Sequence, residues 1–466
     1  MLEGLEISEI KLSTVLNGVE TLRLDSEYYK KDFIKIEKYI ALHKRKFTSF
    51  AELGVQIDCS AFYPALEPHY NTGTFPFIRV GDVKDSVDYA NCIKIPETIL
   101  PTYPTLKLVT SGDIVITKGG SIGRVGYVTR KSCVSRDLLF VRCSKLEEEQ
   151  RIFLCLYLST DFAYKQLIRS SSQCAQPHLT ITLVKYLDLL KSSPLFAKKV
   201  AFIYNNTLKQ TKQADTMYIQ AERLFLSALG LENWQPKNET ASVRKFSAVN
   251  NNNRYDAEYY QPKYDEIENK LLNDRSICNM PYSLKEQNYL PKNDKVYKYI
   301  ELANIGANGE ITGCTEALGS ELPTRARRQV HCGDLIISSI EGSLQSCAYI
   351  TEEYDNALCS TGFYVLSPKE INAETLLILF KSKTYQALLK KGCSGTILTA
   401  IAKNELEKIK LPIIPTETQN SIAEKVRQSF ALRDESKRLL ETAKRAVEIA
   451  IEEGEEKAVK YLEENK

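Results

Sequence analysis

The fold is decided by a short stretch that the chain carries twice. The first copy reads Leu22-Arg23-Leu24-Asp25-Ser26-Glu27-Tyr28-Tyr29, and the second reads Asn253-Arg254-Tyr255-Asp256-Ala257-Glu258-Tyr259-Tyr260. Each copy leads into apolar residues spaced by four, three and four positions, which places them on one face of a helix. An aspartate before such a stripe, with an acid two residues later, is typical of a helix N-terminus. The repeat therefore predicts two helices that begin in the same way.

Further segments repeat in the same order. Gly112-Asp113-Ile114-Val115-Ile116 returns as Gly333-Asp334-Leu335-Ile336-Ile337, and Gly120-Ser121-Ile122 returns as Gly342-Ser343-Leu344. A spacing of more than 200 residues is too long for a stacked-repeat protein, so two copies of one domain fit better. Short apolar runs at 77–83, 113–117, 126–129 and 138–142 alternate with Gly, Pro and Asp and predict strands. We therefore predict an α+β fold with similar globular domains at 1–193 and 254–412.

Each predicted domain is followed by a long helix, at 194–231 and 413–454. The first carries a heptad seam from Val200 to Ala228, and the second repeats it from Ile422 to Ala450, an offset of 222 residues throughout. The shared register predicts that the two helices pair as an antiparallel coiled coil, centred on Ala214 and Ser436. Arg433 lies on the seam and requires an acidic or polar partner. The alternative is two ordinary amphipathic helices, each packed on its own domain. Residues 232–253 are predicted to be a linker, and 455–466 a frayed, charged tail.

The composition excludes several classes of protein. The 466 residues have a formal net charge of +3, so any nucleic-acid contact must come from local clusters. The sequence lacks a run of about 18 apolar residues, which a membrane span would need. It also lacks the basic segment followed by an apolar run that is typical of a secretory signal. The twelve cysteines form no Cys-x-x-Cys pair, and the four histidines lack metal-ligand spacing. We therefore expect a cytoplasmic protein with free thiols, no metal and no membrane contact.

The repeated order of domain and helix resembles the specificity subunit of type I restriction-modification systems. The resemblance covers nearly the whole chain and is carried by 25–29 with 256–260, by 112–116 with 333–337, and by the segments that lead into Pro194 and Pro415. It implies that each globular domain is a target-recognition domain reading one half of a bipartite double-stranded DNA sequence. It also implies that the paired helices set the gap between the halves and dock two methyltransferase subunits, with restriction subunits completing the complex.

The resemblance implies a subunit without a catalytic centre. S-adenosylmethionine would then be bound by the methyltransferase partner, and no cofactor by this chain. The family's Glu-Gln pair after the proline that opens each long helix is split here into Glu417-Thr418-Gln419, and Leu195-Phe196-Ala197 has none. Docking at the first helix is therefore expected to differ from the family pattern.

The candidate DNA contacts of the first domain lie in two loops. Glycines let a backbone approach a phosphate closely, and flanking cations supply charge. The alternative is a plain hairpin whose glycines only satisfy positive φ. A polar loop after the predicted helix at 154–169 is a candidate base reader by position. The candidates are Lys118, Gly119, Gly120, Ser121 and Arg124 in the glycine-rich loop, and Ser172 and Gln173 in the polar loop.

The candidate contacts of the second domain are basic clusters and one polar loop. Clustered cations suit phosphates, and a glutamine is able to pair with adenine. The alternative for each cluster and loop is an ordinary solvated surface. The candidates are Arg325, Arg327, Arg328, Ser343, Gln345, Lys390 and Lys391.

Two other classes of function stay open on the sequence alone. The first is a two-headed scaffold that holds proteins instead of DNA. The second is an enzyme, for which the only hint is Asn279-Met280-Pro281-Tyr282, which is similar to the Asn/Asp-Pro-Pro-Tyr loop of amino-methyltransferases but lacks its first proline. No glycine-rich cofactor loop precedes that segment.

Overall fold

A computed structural model describes residues 7–13, 15, 23–84, 86–171, 178–237, 239, 241–247, 249, 254–272, 275–395 and 399–465. The chain divides into two compact units. The first unit contains residues 1–209 and 435–466, and the second contains residues 210–434. Each unit therefore combines one globular domain with a part of each long helix.

The helices and strands follow the order expected for a repeat. The helices are α1 Lys31–Leu42, α2 Glu148–Leu158, α3 Asp161–Ser170, α4 Ile181–Lys185, α5 Pro194–Ala228, α6 Pro262–Leu272, α7 Ala373–Lys381, α8 Lys383–Lys391, α9 Lys403–Lys408, α10 Thr416–Glu452 and α11 Glu455–Glu464. The strands of the first unit are β1 Phe47–Thr48, β2 Gln56–Cys59, β3 Phe75–Ile78, β4 Ile93–Ile95, β5 Leu108–Val109, β6 Ile114–Thr117, β7 Val125–Tyr127, β8 Ser132–Val134, β9 Leu138–Arg142 and β10 Leu189–Leu190. Those of the second are β11 Tyr282–Lys285, β12 Val296–Ile300, β13 Thr315–Leu318, β14 Ala326–Gln329, β15 Leu335–Ser338, β16 Cys347–Tyr349, β17 Leu358–Ser360, β18 Phe363–Pro368, β19 Cys393–Ser394 and β20 Ala400–Ile401.

The two domains share one strand topology. The first has four-stranded sheets of order β2-β9-β6-β7 and β4-β3-β8-β5, and the second has β11-β18-β15-β16 and β13-β12-β17-β14. In each domain the sole parallel pair among these sheets is the central one, β3 with β8 and β12 with β17. Helix α2 packs on β7, as α7 packs on β16. The predicted internal repeat of an α+β domain is confirmed.

The repeated Gly-Asp pair forms the turn that enters the central strand. Gly112 and Gly333 adopt φ values of +92° and +89°, a region that L side chains rarely occupy. The Asp113 carboxylate accepts a hydrogen bond from the amide N–H of Thr110 at 2.8 Å, and Asp334 accepts one from His331 at the same distance. The motif therefore recurs because both domains need the same turn before β6 and β15.

The long helices pack against each other in antiparallel fashion within each unit. In the first unit the Ser436 hydroxyl donates to the Thr207 carbonyl at 3.0 Å. In the second the Ser429 hydroxyl donates to the Ala214 carbonyl at 2.8 Å. Arg433 meets the acidic partner that its seam position requires, because its guanidinium lies 2.5 Å from the carboxylate of Asp215.

The register corrects the expected centre of the pairing. Ala214 lies opposite Ser429, one heptad away from the predicted partner Ser436. Ser436 instead lies opposite Thr207. The predicted centre was wrong because it was placed at the middle of the seams, and only contacts between the helices fix their true offset. The centre falls about half a heptad earlier, near Thr211 and Arg433.

The C-terminal tail is a packed helix, contrary to the prediction that 455–466 frays. Ala458 and Leu462 of α11 are buried at 0 % and 1 % exposure. Glu455 accepts hydrogen bonds from the backbone and hydroxyl of Ser193, and Glu463 forms an ion pair with Lys199. The acidic composition concealed a narrow apolar face that α11 buries in the first unit.

Candidate nucleic-acid interface

Four loops of the first domain converge at one end of its sheets. The amide N–H of Lys118 donates to the Asp137 carbonyl at 2.9 Å, and that of Ser135 donates to the Ile78 carbonyl at 2.9 Å. The Lys118 ammonium lies 3.8 Å from the sulfur of Cys59. These contacts join the loops at 59–63, 79–82, 118–124 and 135–137, which we call the first loop face.

The glycine-rich loop is a hairpin that also presents polar groups. Gly120 and Gly123 have φ values of +70° and +80°, and a Cβ on Gly123 would lie 2.9 Å from the Tyr164 ring. The hairpin interpretation is therefore sufficient to explain these glycines. Ser121 and Arg124 are nevertheless exposed, and Lys118 is half-buried beside them. The loop thus combines a required turn with a hydroxyl and two cations on the first loop face.

The first loop face contains three residues that the sequence analysis did not select, which are Phe62, Arg79 and Arg136. Phe62 is 75 % exposed, and the Arg136 guanidinium lies 5.9 Å from the centre of its ring. Arg79 adds a third guanidinium, 3.7 Å from the carboxylate of Asp82. Cations bind phosphates, and an exposed aromatic ring is able to stack on a base. No sequence signal singles out Phe62, because its position beside these cations depends on which loops the fold brings together.

The polar loop of the first domain lies outside the described residues, and so do the predicted contacts Ser172 and Gln173. The chain is described again from His178, which is exposed and whose ring lies against Gly119. The amide N–H of Leu179 donates to the Lys118 carbonyl at 3.1 Å. The segment that leaves the polar loop is therefore fastened to the glycine-rich hairpin.

The second domain builds an equivalent face. The amide N–H of Ser339 donates to the Gly362 carbonyl at 2.9 Å, which matches the contact of Lys118 with Asp137. In the loop after β15, the Ser343 hydroxyl lies 2.8 Å from that of Ser338 and so has an internal partner. Gln345 is exposed. We call the loop at 339–346 the second loop. It presents neutral polar groups and the carboxylate of Glu341 where the first domain presents cations.

The three arginines around β14 all have partners within the second unit. Arg325 donates to the Glu301 carboxylate at 2.9 Å, and this hydrogen bond raises the pKa of the Arg325 guanidinium. Arg327 donates to the Thr324 carbonyl at 2.9 Å, and Arg328 donates to the Glu286 carbonyl. The amide N–H of Thr361 donates to the Arg325 carbonyl, which places Arg325 near the second loop.

Lys390 and Lys391 end up in different surroundings. The Lys390 ammonium is exposed and lies 3.9 Å from the carboxylate of Glu341 in the second loop. Lys391 is only 17 % exposed, forms an ion pair with Glu268 and lies over the Tyr259 ring. It lines a cavity of about 460 Å³ between α6, α8 and α9. The sequence cluster therefore supplies one cation to the loop and one to an internal packing site.

Two other kinds of site, a metal centre and a membrane span, do not occur among the described residues. In that part of the chain, no group of three or more His, Cys, Asp or Glu side chains is arranged to hold a metal ion. Every helix of that part is too short or too polar to cross a membrane.

Comparison with protein families gives a match in each domain. Residues 55–189 and 275–444 match the type I restriction modification DNA specificity domain. A comparison with curated proteins gave no match.

Among solved structures, the S subunit of the type I restriction-modification system from M. genitalium aligns at 12 % identity and a TM-score of 0.40, over 89 % of this chain and 95 % of that one. The HsdS subunit from Thermoanaerobacter tengcongensis aligns at 14 % identity and a TM-score of 0.25, over 88 % and 93 %. These structural similarities are too weak to carry an argument. The chain is therefore assigned to a family from the match of residues 55–189 and 275–444 alone.

Proposed function

Because the chain belongs to the family of type I restriction modification DNA specificity domains, we propose that each of its two domains reads one half of a bipartite double-stranded DNA target. One observation carries this proposal. The family match falls once in each of two domains that share a strand order. Two readers on one chain predict a target of two short sequences separated by unread base pairs.

The two domains are proposed to read DNA with different chemistry. The first loop face offers Arg79, Lys118, Arg124 and Arg136, beside the exposed ring of Phe62. Such cations supply sequence-independent affinity for phosphates, and the ring supplies a surface for stacking. In the second domain the cations nearest the loop are paired with Glu301 and Glu341. Direct readout by neutral groups such as Gln345 is therefore expected to contribute more there.

The long helices are proposed to set the gap between the halves and to dock two methyltransferase subunits. Support for docking comes from exposed apolar side chains on α5, since Leu195 and Phe202 are 65 % and 60 % exposed. Gln419 is buried, and its amide accepts from Asn372 and donates to the Ile414 carbonyl. Of the split Glu-Gln pair, Glu417 is the member that α10 exposes.

The chain is proposed to supply specificity, with catalysis carried by its partners. S-adenosylmethionine would be bound by the methyltransferase subunits, and restriction subunits would join the same complex. No disulfide joins any of the described cysteines, which fits a complex working in the reducing cytoplasm.

The test is to produce the full chain together with its methyltransferase subunits and to sequence the methylated bases. We expect methylation at a sequence of two specified halves separated by a fixed number of unspecified base pairs. Replacing residues 23–190 with the corresponding domain of another specificity subunit should change one half and leave the other intact. Methylation without sequence preference, or a complex that binds proteins but no DNA, would favour the two-headed scaffold.

A further inference from the structure

In the second domain, the repeated N-terminal motif contains an arginine that forms a bidentate pair with an aspartate. The Arg254 guanidinium donates to both carboxylate oxygens of Asp256, at 2.6 and 2.8 Å, and lies 4.6 Å from the centre of the Tyr259 ring. The same guanidinium donates to the Cys393 carbonyl at 2.9 Å. Its side chain is only 15 % exposed. Arg254 is thus fixed on three sides and joins the start of the domain to the chain just after α8.

Cys393 begins a hairpin that touches the second loop. Within the hairpin, Cys393 pairs with Ile401 and Ser394 pairs with Ala400. The amide N–H of Ile401 donates to the Ser339 carbonyl at 2.8 Å, and that of Glu341 donates to the Thr399 carbonyl at 3.0 Å. An unbroken path of hydrogen bonds therefore runs from Arg254 through the β19–β20 hairpin to the second loop.

The first domain repeats this arrangement. Arg23 donates to both carboxylate oxygens of Asp25, at 2.7 and 2.9 Å, and to the carbonyls of Arg169 and Ser171, at 3.1 and 2.8 Å. Ser171 directly follows α3, as Cys393 follows α8 and Gly392. On the other side of this segment, Leu179 donates to the Lys118 carbonyl, as Ile401 donates to that of Ser339. The same arginine therefore binds a carbonyl just after the equivalent helix in both domains, that of Ser171 after α3 and that of Cys393 after α8.

We propose that Arg23 and Arg254 are positioning residues for DNA reading, each fixing the loop face of its own domain without touching DNA. A bidentate, charge-assisted pair with a carboxylate sets the direction of the guanidinium as well as its position. Its remaining N–H groups then hold a carbonyl that a solvated loop would leave free to move. The inference rests on the proposed function, because it assigns a role within base reading.

The experiment compares Arg254→Ala and Arg23→Ala in the full complex with the methyltransferase subunits. Each complex selects DNA from a library randomised over both half-sites, and base preference is measured position by position. We expect Arg254→Ala to lower preference about tenfold at one or more positions of the half read by the second domain. Arg23→Ala should do the same in the other half.

Two control variants separate positioning from loss of stability. Ile378 lies on α7 in the same domain and is 1 % exposed. Ile378→Val removes one buried methyl group, so it should reduce stability while base preference stays the same. Arg244→Ala removes another arginine that donates to a backbone carbonyl, that of Tyr260 at 2.8 Å, but does not contact the hairpin. Arg244→Ala should leave base preference unchanged in both half-sites.

The inference is overturned if Arg254→Ala keeps base preference as Ile378→Val does, or if it lowers base preference equally in both half-sites. A wild-type complex without sequence preference would instead overturn the proposed function, and that result is read before any variant is compared.

Discussion

The first loop face gathers four cations from three different loops: Arg79, Lys118 with Arg124, and Arg136. Arg79 lies 3.7 Å from the buried carboxylate of Asp82, whereas Lys118, Arg124 and Arg136 form no ion pair with any acid that the structure describes. In the second domain Arg325 and Lys390 lie beside Glu301 and Glu341. A phosphate approaching those cations must compete with a carboxylate. Electrostatic affinity for DNA should therefore come mainly from the first domain.

Replacing both Lys118 and Arg124 with Ala should weaken binding to every DNA sequence, with little change in which sequence is preferred. Phosphate contacts supply affinity without direct base information. The slope of log affinity against log salt should fall by about 0.9 for each phosphate that the variant no longer neutralises. The measurement is DNA binding by the complex at several salt concentrations. The control is Lys145→Ala with Arg45→Ala, which removes the same charge away from the loop face. Equal slopes for the two double variants would establish that the loop is a plain hairpin.

Because Arg23 and Arg254 each form a bidentate pair with an aspartate, we also expect stability to depend on pH. The hydrogen bonds from Arg23 and Arg254 lower the pKa values of Asp25 and Asp256 below their usual 3.8. A carboxyl whose pKa is lowered by folding stabilises the folded state at every pH above its pKa in the unfolded chain. This stabilisation is lost as the pH falls through its pKa in the folded protein. The difference in urea midpoint between wild type and Asp25→Asn/Asp256→Asn should therefore stay constant from about pH 6 to about pH 5 and shrink as the pH falls below about 4. A gap that does not change with pH would contradict the assignment.

How much of the site was predictable depends on how local its signal is. Lys118 and Arg124 flank a glycine-rich run, so the loop was visible in the sequence. Phe62 and Arg136 were not, because their proximity depends on non-local strand pairing. Lys390 and Lys391 look alike in sequence, yet consecutive residues of a helix point about 100° apart, so one reaches the second loop and the other packs on Glu268.

At the level of elements, long periodic patterns were predictable and short ones were not. The heptad seams predicted α5 and α10 to within a few residues. The strand predicted at 77–83 ends at Ile78, because the Asp82 carboxylate accepts from the Arg79 amide and turns the chain at Val80–Asp82. Helix α11 was missed because only two of its ten residues are buried, too few to produce a clear apolar stripe.

Small residues on the seam predict that the helices tolerate little added volume. Ala443 is completely buried in the first unit, whereas Ala431 on the same helix is exposed. Ala443→Leu should destabilise the protein by about 1–3 kcal/mol, because the added atoms force neighbouring side chains and backbone to shift. Ala431→Leu should change stability by less than about 0.5 kcal/mol. Urea unfolding of both variants measures the difference, and similar losses would mean that the seam is loosely packed.

At the scale of the whole molecule, the duplication and the helix register come from one feature of the sequence. The seams recur at a fixed offset of 222 residues, as from Val200 to Ile422. An antiparallel pairing of two such seams brings equivalent residues together only at its centre, and the contacts of Thr207 with Ser436 and Ala214 with Ser429 fix that centre. The existence of the pairing was predictable from the pattern, whereas its offset required the contacts.

If the paired helices set the distance between two readers, their length should set the gap between the two half-sites. We propose inserting one heptad between Gln210 and Thr211 and another between Leu432 and Arg433, at the centre of the register. Seven residues keep the seam facing its partner and add roughly 10 Å, or about three base pairs. Each half-sequence should stay the same while the unread gap grows, as measured by sequencing methylated bases. The same insertion in one helix alone should abolish activity, since the second seam no longer matches. An unchanged gap in an active double variant would exclude the helices as the ruler.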